Sequence, residues 1–152
     1  MLGIIITSTN LSAYSYDEED VSYFLKNSKC HQCDLSNYNF EKKYLDQAVI
    51  SESNLIGTNF NNAKIANSRI KSSDLTNSTF IHADMNTTLI EDSNFTNADL
   101  TEINLVSATI INSNFIEANL NLAKMYGITA ERTNFDGSNI TNVNIQKSVL
   151  SF

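Results

Sequence analysis

The sequence predicts an all-β solenoid, and three observations carry that prediction. A large apolar residue recurs at every fifth position. Of the 24 residues numbered in multiples of five from Leu35 to Leu150, 23 are Leu, Ile, Phe or Met, and the exception is Ala130. Two positions before each of these centres, 19 of 24 residues are Ala, Ser, Thr or Cys, and one position before, 14 of 24 are Asn or Asp. Two positions after the centres, glycine and asparagine gather: Gly57, Gly127 and Gly137 fall there, with Asn37, Asn62, Asn67, Asn77, Asn97, Asn112 and Asn142. A period of five fits neither an amphipathic helix near 3.6 nor a strand alternating at 2. A short repeat held without slip builds a solenoid.

The cycle is plainest in Ser93-Asn94-Phe95-Thr96-Asn97-Ala98-Asp99-Leu100: small residue, Asn or Asp, large apolar residue, then two polar residues. In this pattern the chain resembles the pentapeptide-repeat family, whose loose motif is A(D/N)LXX, over roughly four-fifths of its length. The resemblance implies a right-handed quadrilateral β-helix with four pentapeptides to a coil, hence about six coils over residues 28–152. It also implies a non-enzymatic structural or protein-interaction module, bacterial in style, with an unidentified protein partner. Four repeats per coil stack like on like: Leu35, Leu55, Leu75, Phe95, Phe115 and Phe135 on one face, and Phe40, Phe60, Phe80, Leu100, Leu120 and Ile140 on the next. At Ala130 the missing volume is expected from Ile128, which replaces the usual small residue, since packed cores tolerate exchanges that conserve volume. The Gly and Asn slot is the place for positive φ in a type II turn. The absence of proline suits a backbone whose N–H groups bond from coil to coil.

The chain outside the repeat divides in two. Residues 16–27 are expected to form a short helix, capped by Ser15 or Asp17, with acids in its first turn and an apolar stripe of Val21, Phe24 and Leu25. This helix would cap the open end of the solenoid, whose bare strand edges invite association. Tyr38 and Lys43, which replace small inward residues in the first coil, agree with a cap above them. Residues 1–15 form a leader. The apolar Leu2-Gly3-Ile4-Ile5-Ile6 and the small-x-small triplet Ala13-Tyr14-Ser15 fit the remnant of a signal peptide, but no basic segment precedes them. A cleaved leader implies a periplasmic or secreted protein, and an uncleaved one a cytoplasmic protein. No apolar run approaches the roughly 20 residues of a membrane span.

A net charge of −7 includes the run Asp17-Glu18-Glu19-Asp20, and residues 28–152 carry 13 acids against 9 bases. No basic stripe for nucleic-acid phosphates is present, so direct nucleic-acid binding is not expected.

Cys30-His31-Gln32-Cys33 is the one cluster with chemical possibilities. Both cysteines should point inward across one corner, as packed thiols or as a disulfide, since the first and fourth Cα of a β-turn lie within about 7 Å. Zinc or redox catalysis is the weakest reading, because no second ligand pair and no βαβ pattern accompany the pair. His82 is expected at an exposed corner. The column Asp34, Asn54, Asp74, Asn94, Asn114, Asn134 reads as backbone hydrogen bonding rather than acid–base chemistry. No nucleophile–base pair, phosphate-binding glycine loop or metal spacing is visible, so no enzyme activity and no cofactor are expected.

Two surfaces stand out. Outward apolar residues Val49, Leu89, Val106, Ile111, Leu122 and Tyr126 form a candidate partner surface. Only Ser151 and Phe152 follow Leu150, so the last coil should expose Ile140, Ile145, Leu150 and Phe152 as a homodimer contact. The alternative to a general interaction module is a gyrase-binding DNA mimic similar to the family's quinolone-resistance members.

Overall fold

A computed structural model describes residues 16–151. The leader features at residues 2–6 and 13–15, and Phe152, lie outside the described residues. A short helix, α1 (Glu18–Asn27), leads into a parallel β-solenoid of about six turns. One face carries seven strands: β1 (Lys29–His31), β2 (Val49–Ser51), β3 (Arg69–Lys71), β4 (Leu89–Glu91), β5 (Thr109–Ile111), β6 (Thr129–Glu131) and β7 (Val149–Ser151). They form one parallel sheet in sequence order, and each residue pairs with the residue twenty positions on, as Ile50 does with Ile70. The other three faces hold the same register through isolated bridges such as Asp34 to Asn54, Asn39 to Asn59 and Tyr44 to Lys64. At a strand spacing of about 4.8 Å, six coils make a rod about 30 Å long.

The corners lie where the sequence places them. From Gln32 to Lys147, every fifth residue has positive φ, and Gly57, Gly127 and Gly137 are among them at +67° to +68°. The asparagines tolerate this geometry because their short side chains bond locally. Gly57 has a further reason: a Cβ there would collide with Asn37 Oδ1.

The centres fill the bore. Every one from Leu35 to Ala130 is buried. Ile128 and Ala130 are both buried, as expected if the larger residue offsets the smaller. The phenylalanines form a continuous spine. Phe40, Phe60 and Phe80 stack at 5.1 and 4.8 Å, and Phe95, Phe115 and Phe135 at 4.7 and 5.3 Å. A tilted contact of 5.8 Å between Phe80 and Phe95 hands the spine from one face to the next. Stacked and edge-to-face rings contribute about 0.5–1.5 kcal/mol per pair beyond area burial.

At the N-terminal end, Phe24 of α1 meets Phe40 edge-on at 5.5 Å, so the spine continues into the cap. Asp17 is the N-cap, accepting from the N–H groups of Glu19 and Asp20, while Ser28 ends the helix in a left-handed conformation. Glu18, Glu19 and Asp20 in the first turn and Lys26 in the last complement the helix dipole. Three expectations need correcting here. The helix begins at Glu18 rather than 16. Leu25 is 41% exposed, because only Val21 and Phe24 face the coil. Lys43 is exposed, its charged end staying in water, while Tyr38 is half-buried against Tyr16 and Phe40.

At the other end, inward placement does not bring burial for every multiple of five. Ile140, Ile145 and Leu150 are 59%, 47% and 36% exposed, since no coil lies beyond them among the described residues.

Replacing Phe95 by Asp puts an unpaired charge in the spine and should cost several kcal/mol, melting the middle of the rod. Phe95→Leu should cost far less, because Leu75 occupies the same column one coil before. Thermal melts followed by circular dichroism test both, and a Phe95→Asp protein melting like the parent would show the register to be wrong.

Candidate interaction surfaces

Two corner chemistries set which backbone groups are available on each face. On three faces, an Asn or Asp before the centre accepts the N–H two residues on: Asn54 from Ile56 at 3.1 Å, Asp74 from Thr76 at 3.0 Å, Asn119 from Asn121 at 3.2 Å. The centre carbonyl then closes the turn, as Leu55 does with the Thr58 N–H at 3.2 Å. The Asn and Asp side chains also link coils, for example Asn104 Nδ2 to Asp84 Oδ1 at 2.8 Å. The column is backbone-bonding, as expected.

The fourth face differs. Its positions before the centre are Lys29, Val49, Arg69, Leu89, Thr109, Thr129 and Val149, with no Asn or Asp. Here the backbone stays extended, and a centre carbonyl committed to the parallel ladder is not free to close a turn. The small residue after the corner is left with an unanswered buried N–H. Serine hydroxyls of the next coil supply the acceptor. Cys33, Ser53, Ser73 and Ser93 N–H donate to the Oγ atoms of Ser53, Ser73, Ser93 and Ser113 at 3.1–3.3 Å. Each of these hydroxyls in turn donates to the carbonyl two residues before it, as Ser93 does to Glu91 at 2.7 Å. The five-residue period by itself does not reveal this ladder. Its signal was that only this corner reads Cys33, Ser53, Ser73, Ser93, Ser113, Thr133, with alanine nowhere in the series.

This geometry sorts the candidate partner residues. Val49, Leu89 and Ile111 lie on the strand face. Val106 and Tyr126 share a column at the adjoining edge, where Tyr126 carries the Lys147 ammonium 5.4 Å above its ring. Leu122 stands apart, at a positive-φ corner (φ 61°) and exposed. Five of the six thus lie on the strand face or its adjoining edge, and Leu122 at a separate corner. The sheet itself accounts for Val49, Leu89 and Ile111, since β-branched and apolar residues suit a pleated, half-buried surface.

The C-terminal end is more concentrated. Met125, Phe135, Ile140, Val143, Ile145 and Leu150 line an apolar cavity of about 140 Å3. Val149 beside it is 61% exposed. The amides of Ile140, Asn142, Ile145 and Lys147, which the register aims at a following coil, have no backbone partner among the described residues.

Cys30 and Cys33 are buried, with Cα atoms 5.7 Å apart, and are joined as a disulfide. His82 is at an exposed corner with Nδ1 3.4 Å from the Glu102 carboxylate. Among the described residues no cluster of His, Cys, Asp and Glu could hold a metal ion. No helix there is long and apolar enough to cross a membrane. Asp84 is the acid with a marked environment. Partial burial opposes its charge, but hydrogen bonds from the Asn86 side chain and backbone, the Lys64 ammonium 3.6 Å away, and Asn104 outweigh it and hold its carboxyl below the ordinary value.

The Pentapeptide repeats family profile matches the chain in eight copies, over residues 28–65, 53–92, 90–127 and 113–151. No curated protein matches. Among solved structures, QnrB1, described as a plasmid-mediated fluoroquinolone resistance protein, is 18% identical with a TM-score of 0.52. That alignment covers 79% of this chain and 61% of QnrB1, so the chain spans about three-fifths of that neighbour. Rfr23 from the cyanobacterium Cyanothece 51142 is also 18% identical, with a TM-score of 0.41 over 87% of this chain and 97% of its own. HetL from Nostoc sp. strain PCC 7120 is 14% identical, with a TM-score of 0.43 over 85% of this chain and 72% of its own.

Ser93→Ala should leave the Ser73 N–H buried without an acceptor and cost about 1–3 kcal/mol in denaturant unfolding. Ser93→Thr should cost less, because a threonine hydroxyl still reaches the carbonyl two residues back, as Thr133 does with Glu131 at 3.2 Å. The depressed Asp84 carboxyl contributes stability that is present above its unfolded value and lost as pH falls through the lower folded one. In acid titrations of the melting temperature, Asp84→Asn should lose stability near neutrality and converge with the parent at the lowest pH. Parallel curves at all pH values would contradict the assignment.

Proposed function

The chain belongs to the pentapeptide-repeat family, and from that premise we propose that it is a non-enzymatic interaction module working as a homodimer joined at the C-terminal coil. The observation that carries this reading is the sixth coil, where exposed Ile140, Ile145 and Leu150 line an apolar cavity beside backbone amides that have no backbone partner among the described residues. Bare strand edges next to apolar surface favour association. At the opposite end α1 covers the first coil, with Val21 and Phe24 buried, which blocks head-to-tail stacking. Two identical ends meeting about a two-fold axis make a closed contact instead. Such a dimer would be a rod about 60 Å long. Its outward side chains, held at strand spacing, would serve a protein partner, and Phe152 would add to the joint.

Gyrase binding by DNA mimicry is the second reading, and it rests on the likeness of fold to QnrB1. Charge weighs against it. Duplex DNA carries one negative charge per roughly 1.7 Å of axis, or about 18 along a 30 Å rod. Residues 28–152 carry 13 acids against 9 bases. The Lys64–Asp84 and Arg69–Glu91 pairs, at 3.6 and 3.7 Å, further break up the negative surface.

Light scattering at tens of micromolar should give twice the chain mass for the parent and a monomer for Ile140→Lys combined with Leu150→Lys, with unchanged circular dichroism. A monomeric parent, or a dimer indifferent to those changes, refutes the joint.

A further inference from the structure

We propose that the Cys30–Cys33 disulfide is a redox clasp for the cap helix, so that reduction loosens α1 and leaves the rest of the rod intact. At each later coil, the residue equivalent to Cys33 is Ser or Thr; from Ser53 to Ser113 the hydroxyl holds the corner by donating to the carbonyl two residues back and accepts an N–H from the coil before. Cys33 heads the ladder. Its own N–H donates to Ser53 Oγ, and no preceding coil among the described residues sends it an N–H to accept. A hydroxyl is therefore dispensable at this one rung, and a covalent bond to Cys30 closes the corner instead.

What that corner holds is the cap. Asp34, directly after Cys33, carries two anchors of α1: the Asp17 N–H donates to its carbonyl at 2.9 Å, and its N–H donates to Asp20 Oδ2 at 2.8 Å. Cys30, on the other side of the bond, lies two residues past the helix C-cap Ser28. The disulfide thus ties the segment leaving the helix to the residue beside the one that grips its start. Among the described residues this corner has a following coil but no preceding one, and no backbone hydrogen bond closes its turn. Asp20, Tyr23, Lys29 and His31 border a groove of about 500 Å3 that opens onto the two cysteines, and it gives a reductant a route to the otherwise buried bond.

The step balances as ordinary thiol–disulfide exchange. A dithiol attacks one sulfur, the S–S bond breaks, and a mixed disulfide forms. The second thiol of the reductant then closes on the first, leaving Cys30 and Cys33 as thiols with two electrons and two protons transferred. With the clasp open, the Phe24–Phe40 contact loses its fixed geometry, and the apolar edge of the first coil becomes available. Disulfides persist in oxidising surroundings and are lost in reducing ones, so the cap would report the compartment.

Amide hydrogen exchange on the full chain, oxidised and then treated with dithiothreitol, tests the proposal. Amides of Val21 to Leu25 should exchange at least about tenfold faster after reduction, while amides of Leu75 to Leu120 keep their protection. The Cys30→Ser, Cys33→Ser variant should behave as the reduced protein in both conditions. Equal protection of α1 in both redox states would overturn the proposal. So would loss of protection throughout the rod, or two free thiols in protein purified in air without reductant.

Discussion

Everything in this molecule depends on a register of twenty residues between neighbouring coils. The backbone hydrogen bonds between coils join residues nineteen to twenty-one positions apart, as when Leu35 N–H donates to the Asn54 carbonyl and Asn54 N–H to the Cys33 carbonyl. An insertion of one residue would move every later centre out of its column and turn a small inward side chain toward the surface. The strictness of the five-residue cycle is the sequence's record of that constraint. It also explains the tolerance for non-glycine residues at positive φ. A left-handed residue is unfavourable by itself, but the hydrogen bonds and burial of the coils on either side determine the corner.

Within that register, the four faces divide by how one carbonyl is used. Where Asn or Asp precedes the centre, the centre carbonyl closes a turn and the wall is held by single bridges. Where Arg69, Leu89 or Thr109 precedes it, the carbonyl joins a continuous sheet, and serine hydroxyls rescue the N–H left behind. Buried polar groups without partners cost enough that such a rescue is required rather than optional. No buried side-chain nitrogen or oxygen among the described residues lacks a hydrogen bond. The narrow bore is therefore stabilised jointly by apolar columns and by rows of hydrogen-bonded polar side chains.

The ends carry the functional argument because the register breaks there. At one end α1, its caps and the Cys30–Cys33 bond cover the first coil. At the other, apolar side chains and backbone donors stand open together. The walls between are repetitive and mildly acidic, with ion pairs such as Arg69 with Glu91 on the strand face. Specific recognition on the walls requires a departure from the repeat, and Leu122, an exposed apolar residue at a positive-φ corner, is one such departure.

Sequence alone determined the coil: the period, the columns and the corner positions follow from residue type, since each repeat meets the same neighbours at the same offsets. It determined the existence of the cap from the acidic run and the residues around Phe24. Tertiary structure decided what repeats cannot encode. Which face becomes a sheet depends on competition for the centre carbonyl between a turn and the next coil, so residue type alone did not place Val49 and Leu89 on a continuous sheet. Whether Leu25 or Lys43 is buried depends on how α1 sits on the first coil, where no repeat sets the geometry. Ile140, Ile145 and Leu150 have the same sequence signature as buried Leu100, Leu105 and Ile110. They are exposed only because burial in a solenoid comes from the next coil, and residue type carries no information on whether that coil is present.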